Sequence, residues 1–263
     1  MKFGVIFLIF FCNTCFAQQW QAEAMAGVSG YNGDLTRRPL SLRSLGPAIN
    51  LNIKYMLPGN FVVLRAGIGY GRISGNDKNN SNPVLKERNL NFKTHILEGH
   101  IGAELNILDP ESFDAFPYLF VGLGIFHFDP YTKDRNNNKA FLRNLGTEGQ
   151  GLEQSPKKKM YSLTQFCIPI GGGWKWKIND SYEVAYELGA RYLLTDYLDD
   201  VSTAYANLQA LQAERGRIAA ELSYRQNNAV TDIEGKQRGN PKIKDWYYFT
   251  GVKFIINLGA NLP

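Results

Sequence analysis

The chain has 263 residues, 44% of them apolar and 20% charged, a balance that excludes intrinsic disorder and a coiled coil. Twenty-nine basic residues against 24 acidic ones leave a formal charge of +5, too small and too dispersed for a nucleic-acid footprint. Twenty-six glycines and 13% aromatics favour tight turns and strands over a helical bundle.

Lys2, the apolar run 3–11 and Cys15-Phe16-Ala17 have the charged, hydrophobic and small-residue regions of a secretory signal peptide, residues 1–17, with cleavage expected before Gln18. Asn13, Thr14 and Gln18 interrupt the run short of the roughly 20 apolar residues of a membrane-anchoring helix. Cys12 follows Phe10-Phe11 and Cys15 follows Asn13-Thr14, so neither has the small residues that lipid attachment needs upstream. Cys167 is then alone, and the mature domain, 18–263, cannot form an internal disulfide. No later apolar run is long enough for a transmembrane helix, which leaves a soluble exported domain or a barrel.

Eight segments follow with the period of two that marks strands. In the first, Trp20, Ala22, Ala24, Ala26 and Val28 oppose Gln21, Glu23, Met25, Gly27 and Ser29. The second sets Ile49, Leu51, Ile53 and Tyr55 against Ala48, Asn50, Asn52 and Lys54, and Leu57-Pro58-Gly59-Asn60 turns the chain. In the third, Val62, Leu64, Ala66, Ile68 and Tyr70 oppose Arg65, Gly67, Gly69 and Gly71; in the fourth, Leu97, Gly99, Ile101, Ala103 and Leu105 oppose Glu98, His100, Gly102 and Glu104. The fifth sets Leu119, Val121, Leu123 and Ile125 against Tyr118, Phe120, Gly122 and Gly124. The sixth sets Phe166, Ile168, Ile170, Trp174 and Trp176 against Gln165, Cys167, Gly171, Gly173 and Lys175. In the seventh, Val184, Tyr186, Leu188, Ala190, Tyr192 and Leu194 oppose Glu183, Glu187, Gly189 and Arg191. The eighth, from Trp246 to Leu258, sets Trp246, Tyr248, Val252, Phe254 and Ile256 against Tyr247, Gly251, Lys253 and Asn257.

No charge falls on the apolar face, while Glu23, Lys54, Arg65, Glu98, Glu104, Lys175, Glu183, Glu187, Arg191 and Lys253 fall on the other. Strand glycines share the charged face, as a crowded lumen requires. Aromatics gather at the row ends, Trp20, Tyr55, Trp174, Trp176 and Tyr182 at one and Tyr70, Tyr192, Trp246 and Tyr248 at the other, which reads as two membrane girdles. Connections alternate between short or moderate (57–60, 106–117, 178–181) and long and polar (30–46, 74–89, 129–160, 196–243). The pattern predicts an all-β fold: an eight-stranded antiparallel up-and-down transmembrane barrel in outer-membrane lipid, with both termini periplasmic. Its charges, with His100, form a salt-bridged plug and leave no open pore. Asp109, Glu111 and Asp114 on the longest short-side turn are candidate periplasmic contacts.

The last long loop carries Ala204, Leu208, Leu211, Ile218 and Leu222 at helical intervals, predicting a short helix over 203–224 capped by Asp200 or Ser202, with Gly216 in its middle. Asp34, Asp196, Asp199 and Asp200 offer oxygen ligands for Ca²⁺ but lack the spacing of a calcium loop, so capping is preferred and no metal is expected. His95, His100 and His127 are the available imidazoles; His127 has Asp129 nearby but no serine in a nucleophile context. Thr147-Glu148-Gly149-Gln150-Gly151 and Gly171-Gly172-Gly173 lack the lysine of a phosphate loop, and Lys157-Lys158-Lys159 reads as a solvated or lipopolysaccharide-facing patch. No catalysis and no cofactor are expected.

Tyr31-Asn32-Gly33-Asp34-Leu35, Pro117-Tyr118, Gly122-Leu123-Gly124, Phe126-His127-Phe128 and Leu145-Gly146 followed by Thr147, Glu148, Gly149, Gln150 and Gly151 make a distinctive series. Ile168-Pro169-Ile170-Gly171, then Thr195, Asp196, Tyr197, Leu198, Asp199, Asp200, Val201 and Ser202, and Arg238-Gly239-Asn240-Pro241 before Asp245-Trp246-Tyr247 extend it. Together these motifs resemble the small outer-membrane barrel family of Bacteroidetes that includes PorG. The resemblance implies a component of the type IX protein secretion system that anchors a periplasmic ring, formed by a lipoprotein and its partner, to the outer membrane. A barrel of the same family that binds surface partners through its external loops, as an adhesin does, is the alternative.

Overall fold

Strict alternation gives each strand a wet face and a greasy face, and in the computed structural model the eight segments close into one antiparallel barrel that separates them. The structure describes residues 20–36, 44–226 and 232–259; the expected signal peptide, 1–17, lies outside them. The wall begins with β1 (Trp20–Asn32), β2 (Gly46–Met56), β3 (Val62–Asn76), β4 (Asn91–Asn106) and β5 (Ala115–His127). A hairpin of β6 (Tyr131–Lys133) and β7 (Lys139–Phe141) then leaves the ring, which β8 (Thr164–Lys177), β9 (Tyr182–Leu193) and β10 (Trp246–Asn257) complete. β10 pairs with β1 from Gln21↔Asn257 to Asn32↔Trp246, so the wall has no open edge.

The greasy face points out. Ile101 is 62% exposed, Leu123 66% and Phe166 64%, whereas Lys54, Glu98 and Arg191 on the opposite face are fully buried. So continuous an exposed apolar surface on a closed wall is a lipid-facing belt. A membrane strand needs about 9–11 residues. β3 and β4 have 15 and 16, so their hairpin projects past the belt, where β6 joins β4 through Lys93↔Tyr131. The sequence reading treats 129–160 as uninterrupted loop; two three-residue strands have no resolvable alternation, which is why this hairpin escapes it.

Inside, facing glycines admit aromatic rings. Gly171 pairs with Gly189, and a Cβ on either would stand 2.8 or 2.7 Å from the Phe120 ring. Phe249 lies in the same way against Gly69 and Gly71. Tyr248 departs from its expected girdle position, being only 2% exposed: its ring folds over Gly30, its ladder partner, and tilts against Trp246 at 6.3 Å.

The loop end is domed by long connections containing α1 (Pro83–Arg88), α2 (Leu142–Leu145), α3 (Leu208–Arg215) and α4 (Arg217–Ser223). The single helix expected over 203–224 is therefore two, broken where Gly216 adopts φ +87°. Nor do Asp200 or Ser202 cap it: Asn207 accepts from the Gln209 and Ala210 amides at 3.0 Å each, starting α3 five residues later than expected.

A closed ladder around the full circumference resists SDS until heated. Unboiled protein is expected to migrate apart from a boiled sample on an SDS gel; coincident bands would contradict the closed wall.

Candidate functional site

Seven charged side chains fill the turn-end half of the lumen. Glu104 bridges Lys54 at 2.8 Å, Arg65 at 3.2 Å and Lys175 at 2.9 Å. Glu187 holds Arg65 at 3.0 Å and contacts Lys253, and Glu23 holds Lys253 at 2.9 Å and contacts Lys54. The Tyr118 hydroxyl donates to Glu187 at 2.8 Å, and Asn52 donates to Glu23 at 2.7 Å. Nearer the loop end, Glu98 accepts from Arg191 at 2.9 and 3.2 Å and from the Tyr247 hydroxyl at 2.6 Å, with His100 Nδ1 at 3.0 Å. Of the residues assigned to the lumen from sequence, Glu183 stands apart: it is buried beside the turns opposite Lys177, in no ion pair among the described residues. Above Glu98 the filling turns apolar, with Met25, Phe126, Cys167, Leu193 and Phe249 packed together.

The motif residues that sequence places far apart meet above this packing. Glu148 is their centre: its carboxylate accepts from Arg238 at 3.1 Å, the Ser202 and Thr203 amides at 2.9 Å each, and the Thr203 hydroxyl at 2.6 Å. The Tyr197 hydroxyl adds a bond at 3.3 Å, and its ring stacks on Tyr161 at 4.8 Å. The turn segment through Thr147 and Gln150 winds tightly because Gly146, Gly149 and Gly151 take φ of +60°, +86° and +72°. That places the Thr147 hydroxyl on Asp200, which also accepts from the Tyr161 hydroxyl at 2.8 Å. Gln150 accepts from the Glu148 amide at 3.0 Å, and Thr195 from the Tyr197 amide at 3.3 Å.

From the first loop, Tyr31 donates to Asp199 and, at 3.3 Å, to Asp245, whose other oxygen accepts from the Leu198 amide at 3.1 Å. Asn32 closes the β1–β10 ladder opposite Trp246, Gly33 bridges to Thr36, and Asp34 accepts from the Asn240 amide at 2.7 Å. Arg88 ties this loop to the last one, donating to the Asp34 and Arg238 carbonyls while Asp77 holds it from the other side at 2.7 and 2.8 Å. Asp34, Asp196, Asp199 and Asp200 thus turn to separate partners instead of a common point. Arg88 and Thr203 carry much of this network although nothing in their local sequence spacing marks them, and Asp245 of the quoted motif series joins them. Lys158 is also part of it, donating to the Glu148 carbonyl at 2.7 Å, so the expected solvated lysine patch is partly absorbed into the dome.

Burial pushes the Asp196 carboxyl up to about 7 despite a 2.8 Å bond from Ser202, and repulsion from Asp34 adds to it. Burial also lifts Asp200 to about 6 against the pull of Arg238. A carboxyl raised in the folded state binds its proton more tightly there than in the unfolded chain, so stability falls as pH rises from the ordinary value through about 7. Dome amides are expected to exchange faster at pH 8 than at pH 5 after correction for intrinsic rates, and Asp196→Asn should remove part of that step, Asp199, Asp200 and Asp245 being raised as well. An unchanged pH dependence in Asp196→Asn would assign it elsewhere.

At the turn end, Asp109 closes its own turn, accepting from the Glu111 amide at 3.0 Å and the Ser112 hydroxyl at 2.8 Å. Glu111 accepts from Asn60 of the neighbouring turn at 2.6 Å, and Asp114 is exposed where β5 begins. In the girdle, Trp20 packs on Tyr55 at 5.0 Å, Trp174, Trp176, Tyr70 and Tyr192 are exposed, and Trp246 is half-buried. His127 bonds the Thr164 hydroxyl at 3.0 Å and His95 bonds the Tyr70 hydroxyl at 2.7 Å.

Among solved structures the chain is similar to Neisserial surface protein A, at 10% identity and TM-score 0.44, covering 90% of this chain and 96% of that one. It is also similar to a major outer membrane protein from Thermus thermophilus, at 10% identity and TM-score 0.42 over 90% and 98% of the two chains. OprG from Pseudomonas aeruginosa matches at 10% identity and TM-score 0.38 over 91% and 97%. No curated protein matches the sequence. Residues 1–224 match the family described as Domain of unknown function (DUF6089), and the chain belongs to that family.

Proposed function

We propose that this protein is a non-enzymatic outer-membrane barrel that serves as a PorG-like anchor of the type IX protein secretion machinery. In this reading the short turns face the periplasm and hold a ring-forming lipoprotein against the membrane, while the dome faces the exterior. The filled lumen supports it: with Glu104 and Glu187 bridging cations across the interior, the barrel offers a rigid membrane-seated body, not a conduit. The motif resemblance supplies the partner.

The test is in-cell crosslinking followed by mild-detergent extraction, with co-purifying proteins identified by mass spectrometry. A ring-forming lipoprotein is expected with the native chain and is expected to be lost from Glu111→Lys with Asp114→Lys, Asp109 being left to close its turn. Undiminished recovery from the double variant would exclude this turn as the docking surface. Surface binding by the dome is a second reading, favoured by a cavity of about 460 Å³ beside Asn89, Arg135 and Arg225 and another of about 390 Å³ between Val84, Tyr205 and Ile233. Recovery of surface ligands without the lipoprotein would favour it.

A further inference from the structure

Where the wall rises past the lipid belt, its outward face becomes cationic on one side. On β3, Tyr70 is followed toward the loop end by exposed Arg72; on β4, Leu97 gives way to exposed His95 and Lys93. The hairpin continues this surface, since Lys93 pairs with Tyr131, and Lys133 with Lys139. Ladder partners project to the same face of a sheet, so Arg72, Lys93, Lys133 and Lys139 share one outward surface. Stacked rings fix its shape: His95 lies between Tyr70 at 5.9 Å and Tyr131 at 6.3 Å, and the Lys139 ammonium sits 3.9 Å over the Tyr131 ring.

Among the described residues no carboxylate pairs with these four cations. The exposed ion pairs of the described residues are Arg135–Glu221 and Arg217–Glu221, which include none of the four. Asp134 is turned into the hairpin by the Asn136 and Asn138 amides at 2.9 and 2.8 Å, and Asp129 lies near Lys139 without pairing with it. Lys133 reaches only a neutral group, Asn137 at 2.7 Å. Along the ladder from Leu97, just below the patch, β5 and β8 present the uncharged pair His127 and Thr164.

Directly below the patch the belt has a furrow. Gly99 faces outward between its ladder partners Ile68 and Ile125, and a Cβ there would meet only Ile125, at 3.9 Å. A cationic surface ending at the top of an apolar furrow coincides with the level where acyl chains give way to phosphates. We propose that this quadrant binds a phosphorylated lipid of the leaflet around the loop end. Its phosphate groups sit on Arg72, Lys93, Lys133 and Lys139, and an acyl chain lies along Gly99. The inference rests on the barrel's membrane placement but not on its secretion partner, and its readout is lipid binding by purified protein.

The full chain, purified in neutral detergent, is mixed with phosphatidylcholine nanodiscs containing either bisphosphorylated lipid A or the same glycolipid stripped of phosphate, and bound glycolipid is measured by native mass spectrometry. A cation beside an anionic headgroup is worth about a fivefold change in affinity. Replacing all four by glutamine is therefore expected to weaken retention of the phosphorylated lipid at least ~10-fold. The stripped lipid should be held weakly by both proteins, and glutamine at the exposed Lys157 and Lys159 should change nothing. Gly99→Phe, which fills the furrow without altering charge, should also reduce retention and provides a reading even if the quadruple variant loses its heat-dependent gel shift. Equal retention by native and both variant proteins, equal retention of the two lipids, or full displacement by inorganic phosphate would overturn the proposal.

Discussion

Glu148→Ala is expected to unfasten the dome while leaving the wall closed. The carboxylate is fully buried and gathers Arg238, two backbone amides and the Thr203 hydroxyl at one point. Its removal takes the nearer of two carboxylates from the buried Arg238 guanidinium, Asp200 standing at 3.8 Å, and the shared acceptor from two amides and a hydroxyl, a loss of about 3–5 kcal/mol by comparison with other broken buried pairs. Arg238 retains the Asp200 carbonyl at 2.5 Å, which places the expected effect toward the lower end. Hydrogen exchange should show amides of the Thr147–Gly151 and 195–205 segments losing protection together, while the gel shift of the unboiled barrel persists. Glu153→Ala, at an exposed position in the same loop, should alter neither. Loss of the gel shift in Glu148→Ala would mean that dome and wall fold as one unit.

Glu104→Gln should destabilise the wall itself. Three cations converge on this carboxylate, and the turn-end cluster already holds four, Lys54, Arg65, Lys175 and Lys253, against Glu23, Glu104 and Glu187. Neutralising it leaves two carboxylates for four cations. Lys54 and Arg65 keep Glu23 and Glu187, but Lys175 keeps no carboxylate among the described residues, only the neutral Asn106 at 3.1 Å and the Tyr118 ring face at 4.7 Å. About 3–5 kcal/mol is the expected loss, read as a lower urea midpoint in detergent. Adding Lys175→Met, which removes the stranded charge and keeps its bulk, should recover a substantial part, making the pair strongly non-additive. Additive losses would show that Lys175 is stabilised independently of Glu104.

The wall was legible because its physics is local. A period of two sorts residues by face whatever the partner strand, and the strand glycines, aromatic row ends and alternating connection lengths then marked Lys54 and Arg191 as interior and Leu123 as exterior. What alternation lacks is the identity of contacts across the lumen. Glu98 and Arg191 meet at 2.9 Å although they are 93 residues apart, and Glu183 shares their face yet has no such partner among the described residues. The dome was less legible because irregular backbone has no period. Motif resemblance selected Glu148 and Asp200, but Arg88 lies in a short helix whose sequence reads as ordinary loop, and its role comes from facing the Asp34 and Arg238 carbonyls. Tyr248 shows a further limit. A periodic reading gives its face correctly but not its exposure, which the missing side chain of Gly30 decides.

The rings seated on glycine bear on how the strands find their places during insertion. Sliding one strand by a single residue turns its charges toward lipid and is rejected outright. Sliding by two keeps every polarity correct, so segregation of wet and greasy faces cannot detect the error. Phe120 can: it needs Gly171 and Gly189 side by side, and a two-residue slip of β8 against β9 would set Glu187 or Arg191 opposite Gly171 instead. Phe249 places the same demand on Gly69 and Gly71 across the interior. Steric fit thus acts as a checksum on strand alignment, separating the native barrel from shifted barrels that solvent and lipid alone would accept.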